Sequence, residues 1–200
     1  MEEGIFDIKH APKLDNPERL RDLRPTELLI KVAGITNGKT CVDFGSGTGM
    51  FALPMAELVG SKGKVYAVDN SADMLGYIRA KNPPANLELV NSDVGQTGLN
   101  SHIADVCLLA FILHEVKEPG KLIAEAFRLL KSDGKLVIVE WKADLDSPGP
   151  PHKLRISKEQ IELMLDQTGL TLESYFSWSQ NHYIAIGKAK EVGMHAYRKL

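Results

Sequence analysis

Three glycines follow an acidic side chain in the run Val42-Asp43-Phe44-Gly45-Ser46-Gly47-Thr48-Gly49. Glycine lets a backbone turn tightly and approach a ligand with no Cβ in the way. Where such a turn opens a helix, the unpaired N–H groups of the first helical turn also face the ligand. One familiar use is disfavoured and another excluded. A dinucleotide fingerprint needs glycine at position 50, where Met50 stands, and a phosphate loop needs a closing Gly-Lys-Ser/Thr, which is absent. Asp69 lies 20 residues beyond Gly49. A carboxylate there can accept both hydroxyl hydrogens of a ribose. Asp93, within Asn91-Ser92-Asp93-Val94, can accept a hydrogen bond from the exocyclic amine of adenine, or can serve as a turn residue. His114, four residues beyond Ala110 and beside Glu115, suits proton transfer near neutral pH, or a place in the wall of a site. His10, His102, His152, His182 and His195 have no comparable context.

Strand-like and helix-like segments alternate around these residues, the pattern of a parallel sheet covered by helices. Strands are expected at Thr40–Phe44, Lys64–Val68, Leu87–Asn91, Asp105–Ala110 and Lys135–Trp141. The last is nearly continuous Leu, Val and Ile, as in a strand buried on both faces. Each is preceded or followed by a helical segment. Asn16-Pro17 starts one, Pro25 starts another that runs through Ala33 to Gly34, and Ser71 caps a third. A fourth shows Leu122, Ile123, Ala126, Phe127 and Leu130 on one face and runs to Lys131. Ser157 and Gln160 form a capping-box pattern before a fifth, which ends near Gly169. Residues 1–14 read as irregular, and 143–155 as a polar, proline-rich loop. Strands at Thr171–Phe176 and His182–Gly187 have no helix between them and so read as an antiparallel hairpin. A doubly wound dehydrogenase sheet would end with a parallel sixth strand instead.

The bulk numbers fit one α/β domain. The chain has 200 residues, 44% hydrophobic and 25% charged, with net charge −2. That charge shows no footprint for nucleic acid or anionic lipid. Cys41 and Cys107 sit inside apolar runs with no Cys-x-x-Cys or His-Cys spacing. They read as core residues in a reducing, cytoplasmic compartment, with no metal site. The opening residues lack the apolar stretch of a secretory signal, and the run Val106–Leu113 is too short to span a bilayer.

The series VDFGSGTG, VDNS, NSDV, LAFILHEV and LLKSDGKLVIVEW resembles the motifs of class I, Rossmann-like, S-adenosylmethionine-dependent methyltransferases, over about Thr40 to Trp141. It is most similar to the small-molecule group that includes ubiquinone/menaquinone C-methyltransferase-like proteins. The resemblance implies a three-layer α/β sandwich with a seven-stranded, mostly parallel sheet ending in the antiparallel hairpin. It implies S-adenosylmethionine as cofactor, with Asp43 in the binding turn and Gly45, Ser46 and Gly47 along the methionine part. Asp69 would meet the ribose, Asn70 and Met74 the adenosine, and Asp93 and Val94 the adenine. Ala110 and Phe111 would line the floor, and His114 would position or deprotonate the acceptor. Residues 1–35 would form a helical lid over a core of 36–200, with Phe6, Ile8 and Leu14 packing over the cofactor. His10, Lys13, Trp141 and Lys142 would lie on the rim. Asn82-Pro83-Pro84-Ala85 is a turn and not the Pro-Pro-aromatic motif of amino-group methyltransferases, which follows the fourth strand. With two core cysteines, an arsenic-methylating pocket is not expected, nor is there room for an added RNA-binding domain. The acceptor is therefore expected to be a small molecule, with no nucleic acid or membrane partner, and the protein a monomer or homodimer. A non-catalytic S-adenosylmethionine-binding sensor or scaffold is the alternative.

Overall fold

The computed structural model describes residues 11–145 and 149–190. Seven strands form one sheet: β1 (Thr40–Phe44), β2 (Lys64–Asp69), β3 (Leu87–Asn91), β4 (Ala104–Ala110), β5 (Leu130–Trp141), β6 (Leu170–Ser177) and β7 (His182–Ala189). Their spatial order is β3-β2-β1-β4-β5-β7-β6. The first five run parallel, and β7 lies antiparallel to both β5 and β6. The seven-stranded expectation and its terminal hairpin are thus both present. The chain order reverses at β1, which has β2 on one side and β4 on the other. In an open α/β sheet that reversal leaves a crevice at the carboxyl ends of the strands.

Both faces of the sheet are covered, because alternate strand residues feed two separate cores. Cys41, Val106, Leu108, Val137 and Val139 pack with α3 (Pro25–Lys31), α4 (Ala52–Val59) and α5 (Ala72–Ala80). Val42, Cys107, Leu109, Leu136 and Ile138 pack with α6 (Pro119–Leu129) and α7 (Lys158–Gln167). Cys41 and Cys107 therefore face opposite layers, and both are free and buried. Burial pushes the Cys41 thiol up to about 12 and that of Cys107 well above its ordinary value, so neither is a ready thiolate. Among the described residues, no helix is long and apolar enough to cross a membrane.

Several boundaries depart from the sequence expectation. Ala11–Leu14 is not irregular but a helical turn, α1, followed by α2 (Pro17–Leu23). The helix expected to reach Ala33 ends at Lys31, where the chain unwinds: the Ile35 N–H reaches back to the Leu29 carbonyl and Gly34 takes φ +67°. Helix α6 ends at Leu129 and β5 begins at Leu130, since Leu130 is extended and pairs with Ala104 before the register shifts. Gly134 makes that shift possible. A Cβ there would lie 2.9 Å from the Ala104 carbonyl oxygen.

The capping box at α7 is formed as its residues suggest. The Ser157 hydroxyl accepts from the Gln160 N–H, and the Gln160 side chain accepts from the Ser157 N–H at 2.8 Å. Ser157→Ala is expected to lower the unfolding free energy by about 1 kcal/mol, read as a shift of the urea midpoint. No shift would mean that water replaces the cap without loss.

Candidate functional site

The crevice beside β1 is built around the glycine turn. Gly45, Gly47 and Gly49 adopt φ +66°, +52° and +88°, a region that favours glycine. Gly45 also lies against the loop after β4, where a Cβ would meet Ile112 Cδ1 at 2.7 Å. The turn is held from β2. The Ser46 N–H donates to the Val68 carbonyl at 3.0 Å, and the Gly47 N–H donates to Asp69 Oδ2 at 2.9 Å. Asp69 Oδ1 accepts the Ser71 N–H at 2.9 Å, just before Ser71 caps α5. Burial raises the Asp69 carboxyl above its ordinary value, and the two N–H bonds oppose that rise.

Asp43 is the more strained carboxylate. It is 2% exposed at the base of the cavity, with Oδ2 unpartnered. Burial, helped by the charge of Asp69, pushes it up to about 8 against a hydrogen bond from the Ala52 N–H. The buried Ser46 hydroxyl also has no partner. Two orphaned polar groups on one cavity floor call for a polar ligand that satisfies them.

Asn70, Met74, Val94 and Ala110 line the same cavity, together with Asp43, Gly45, Ser46, Gly47 and Asp69. Asp93 does not line it. Its side chain is exposed and accepts the Gly95 N–H at 2.7 Å, next to Val94.

His114 stands behind the wall. Its Nδ1 lies 2.8 Å from Glu140 Oε2 and 3.0 Å from Oε1, and its side chain is 8% exposed. Glu115, not His114, lines the cavity, with Oε1 3.8 Å from His114 Nε2. Glu140 is fully buried and also accepts the N–H groups of Leu113 at 3.1 Å, His114 at 3.4 Å and Trp141 at 3.3 Å. Burial pulls the His114 imidazole down, but the hydrogen bond and charge of Glu140 outweigh it, so the net shift is upward. Burial, with the charges of Glu140 and Asp69, pushes Glu115 up to about 7 against the pull of His114 and Arg19.

Phe111 lines the cavity with φ +60°, a real outlier for a bulky residue. Its neighbours hold it there. Trp141 and His182 pack on it at 6.0 and 5.1 Å between ring centroids, and the Arg19 guanidinium lies 5.0 Å from the ring centre. The rim lysine Lys142 instead donates to the Ser179 and Gln180 carbonyls, both at 2.9 Å. Asn82-Pro83-Pro84 leads into the turn before β3, which the Leu87 N–H closes by donating to the Pro84 carbonyl at 3.0 Å.

The N-terminal segment lies against the glycine turn. Leu14 and Arg19 line the cavity, and Asp15 takes hydrogen bonds from Thr48 Oγ1 at 2.7 Å and Lys81 Nζ at 2.6 Å. Phe6, Ile8 and His10 lie outside the described residues; Lys13 falls in α1. Sequence reasoning missed Arg19, Asp15 and Glu140. Only Glu140 carried a local sign: a carboxylate within the apolar strand Leu136–Trp141 needs a buried partner.

Comparison with known proteins agrees with this geometry. Residues 42–138 match the Methyltransferase domain family. A 2-phytyl-1,4-naphtoquinone methyltransferase of Trichormus variabilis is 31% identical over 119 residues, 58% of this chain and 52% of that protein. A ubiquinone/menaquinone biosynthesis C-methyltransferase of Salmonella arizonae is 28% identical over 123 residues, 60% of this chain and 49% of that protein. The chain thus spans about half the length of the curated relatives it matches. A SAM-dependent methyltransferase from Aquifex aeolicus superimposes with TM-score 0.84 at 29% identity, covering 92% of this chain and 98% of that one. The motifs, the strand order and these likenesses converge on the class I, Rossmann-like S-adenosylmethionine-dependent methyltransferases, which the chain resembles in both sequence and fold.

Proposed function

We propose that this protein transfers the methyl group of S-adenosylmethionine to a small-molecule acceptor. The carrying observation is the cavity floor, where Asp43 Oδ2 and Ser46 Oγ are buried without partners beside a turn that approaches closely only because it is glycine. These residues fit the cofactor. Asp43, Gly45, Ser46 and Gly47 would hold its amino-acid end, and Asp69 the ribose hydroxyls. Asn70, Met74 and Val94 would enclose the adenosine, with Asp93 at the adenine edge and Ala110 beneath. When bound, the cofactor supplies a sulfonium-activated methyl group, so the protein's own task is placement, exclusion of water and proton management.

We read residues 1–35 as the lid of a single domain with its core at 36–200, on the strength of the described part of that segment, 11–35. The hydrogen bonds of Asp15 and the reach of Arg19 into the cavity support this. Phe111, backed by Trp141 and His182, offers an apolar aromatic surface. With the quinone substrates that name the two curated relatives, this favours a planar, partly apolar acceptor. The net charge of −2 favours a small molecule over nucleic acid. Free core thiols favour a reducing, cytoplasmic setting.

Calorimetry tests the reading. S-adenosylhomocysteine is expected to bind, and NAD is not. Asp69→Ala should weaken S-adenosylhomocysteine by about 1.5–3 kcal/mol, the scale of hydrogen bonds to a charged group. Binding of NAD alone would overturn the assignment. Binding without transfer of labelled methyl to any of a broad panel of small acceptors would favour the sensor alternative.

A further inference from the structure

Among the described residues, four charged side chains line the cavity: Arg19, Asp43, Asp69 and Glu115. Asp43 and Asp69 belong to the glycine-turn side. Glu115 and Arg19 come from the loop after β4 and from helix α2. The Glu115 carboxylate accepts no hydrogen bond among the described residues; His114 Nε2 lies 3.8 Å from its Oε1. Its lone pairs are therefore available to whatever occupies the cavity. His114 is placed differently. Its Nδ1 is committed to Glu140, and its Nε2 is turned toward Glu115.

We propose that Glu115 is the group that takes the proton the acceptor gives up, and that the His114–Glu140 pair is its positioning device. This rests on the methyl-transfer reading above. The proton passes to a Glu115 oxygen, which becomes a carboxylic acid. The electron pair it leaves behind forms the new bond to methyl, and the old carbon–sulfur pair stays on sulfur. The carboxyl returns its proton to solvent after product leaves. Every layer around Glu115 contributes a charge: Arg19 from α2, Asp69 from β2, Glu140 from β5 and His114 from its own loop. Burial raises the carboxyl to about 7, near the pH at which it must both accept and release a proton. The imidazole, kept basic by Glu140, opposes that rise and keeps part of the carboxyl ionised.

The proposal can be tested without knowing the acceptor. Sinefungin carries an ammonium where S-adenosylmethionine carries its methylsulfonium, and S-adenosylhomocysteine carries a neutral thioether. The two share their nucleoside and amino-acid ends, so the ratio of their affinities cancels the titration of Asp43 and Asp69. In the wild-type protein that ratio should favour sinefungin by about tenfold more at pH ~8.5 than at pH ~5.5, the scale of a charge-assisted hydrogen bond. Glu115→Gln should flatten the profile while leaving S-adenosylhomocysteine affinity within about twofold, well under the cost of a lost hydrogen bond. His114→Gln should move the midpoint upward, which loss of packing alone would not do. A wild-type ratio independent of pH would overturn the proposal, whatever the variants do. So would a profile unchanged in Glu115→Gln. If neither ligand binds, the cofactor reading falls first and this proposal falls with it.

Discussion

Replacing Asp43 with asparagine is expected to make the ligand-free protein more stable and a much weaker binder of S-adenosylhomocysteine. The carboxyl is buried, has one unpartnered oxygen, and is raised from 3.8 to about 8. Between those values the folded chain holds a proton that the unfolded chain has released. Stability contributed by this group therefore falls as pH rises from about 4 to about 8, then levels off. At about 1.4 kcal/mol per unit, a shift of this size reaches several kcal/mol. The amide of Asp43→Asn has no such proton to release, so the variant should gain about 2–5 kcal/mol relative to wild type at pH ~8 and little at pH ~4. Urea unfolding at the two pH values measures the difference. Glu115, also raised, imposes a similar slope in both proteins, whereas Asp69, whose charge acts on Asp43, adds to the difference in the same direction.

The gain comes at the expense of binding, because the raised carboxyl is the site's unspent acceptor. A ligand ammonium at Asp43 would restore the ionised form and release a proton. Calorimetry in buffers of different ionisation heat should detect that release in wild type and not in Asp43→Asn. Affinity should drop about ten- to a hundredfold, the value of a buried hydrogen bond to a charged group. Unchanged affinity would remove Asp43 from the binding set, and an unchanged stability difference across pH would show that its burial is not strained.

Glu140 should behave in the opposite way. It is fully buried and accepts three main-chain N–H groups as well as His114 Nδ1. Glu140→Ala strands those donors and breaks a buried ion pair, for an expected loss of about 3–5 kcal/mol. Glu140→Gln keeps an acceptor in place and isolates the charge. His114 has its folded pKa raised above the unfolded value by this carboxylate. The stabilisation is therefore complete below the unfolded pKa of about 6.5 and disappears as pH rises through the folded one. Glu140→Gln should accordingly cost most at pH ~5.5 and least at pH ~8.5. Equal losses at both would mean that His114 is neutral throughout and that Glu140 serves only as a hydrogen-bond acceptor.

Most of the frame was legible in the linear order of residues. Alternating apolar runs, glycine stops and caps are local signals, read over a few residues each. They were enough to place β1 to β4, the glycine turn and Asp69 at the end of β2. Boundaries failed where a distant contact decided them. Leu130 is helical by its spacing but extended in the protein, because Ala104 on β4 pairs with it and Gly134 lets the strand cross.

The division of labour around His114 shows the same thing at the site. The type and position of His114 suggested proton transfer, and nothing within a few residues distinguished it from Glu115. The register Ala110–Val139 between β4 and β5 brings Glu140 beside the loop that follows β4, 26 residues away along the chain. The carboxylate captures the imidazole and two N–H groups of that loop. Phe111, held at φ +60° by Arg19, Trp141 and His182, sets the loop's direction. These partners come from α2, β5 and β7. The choice of which side chain meets the cavity thus belongs to strand register and interlayer packing, and only the folded chain contains either.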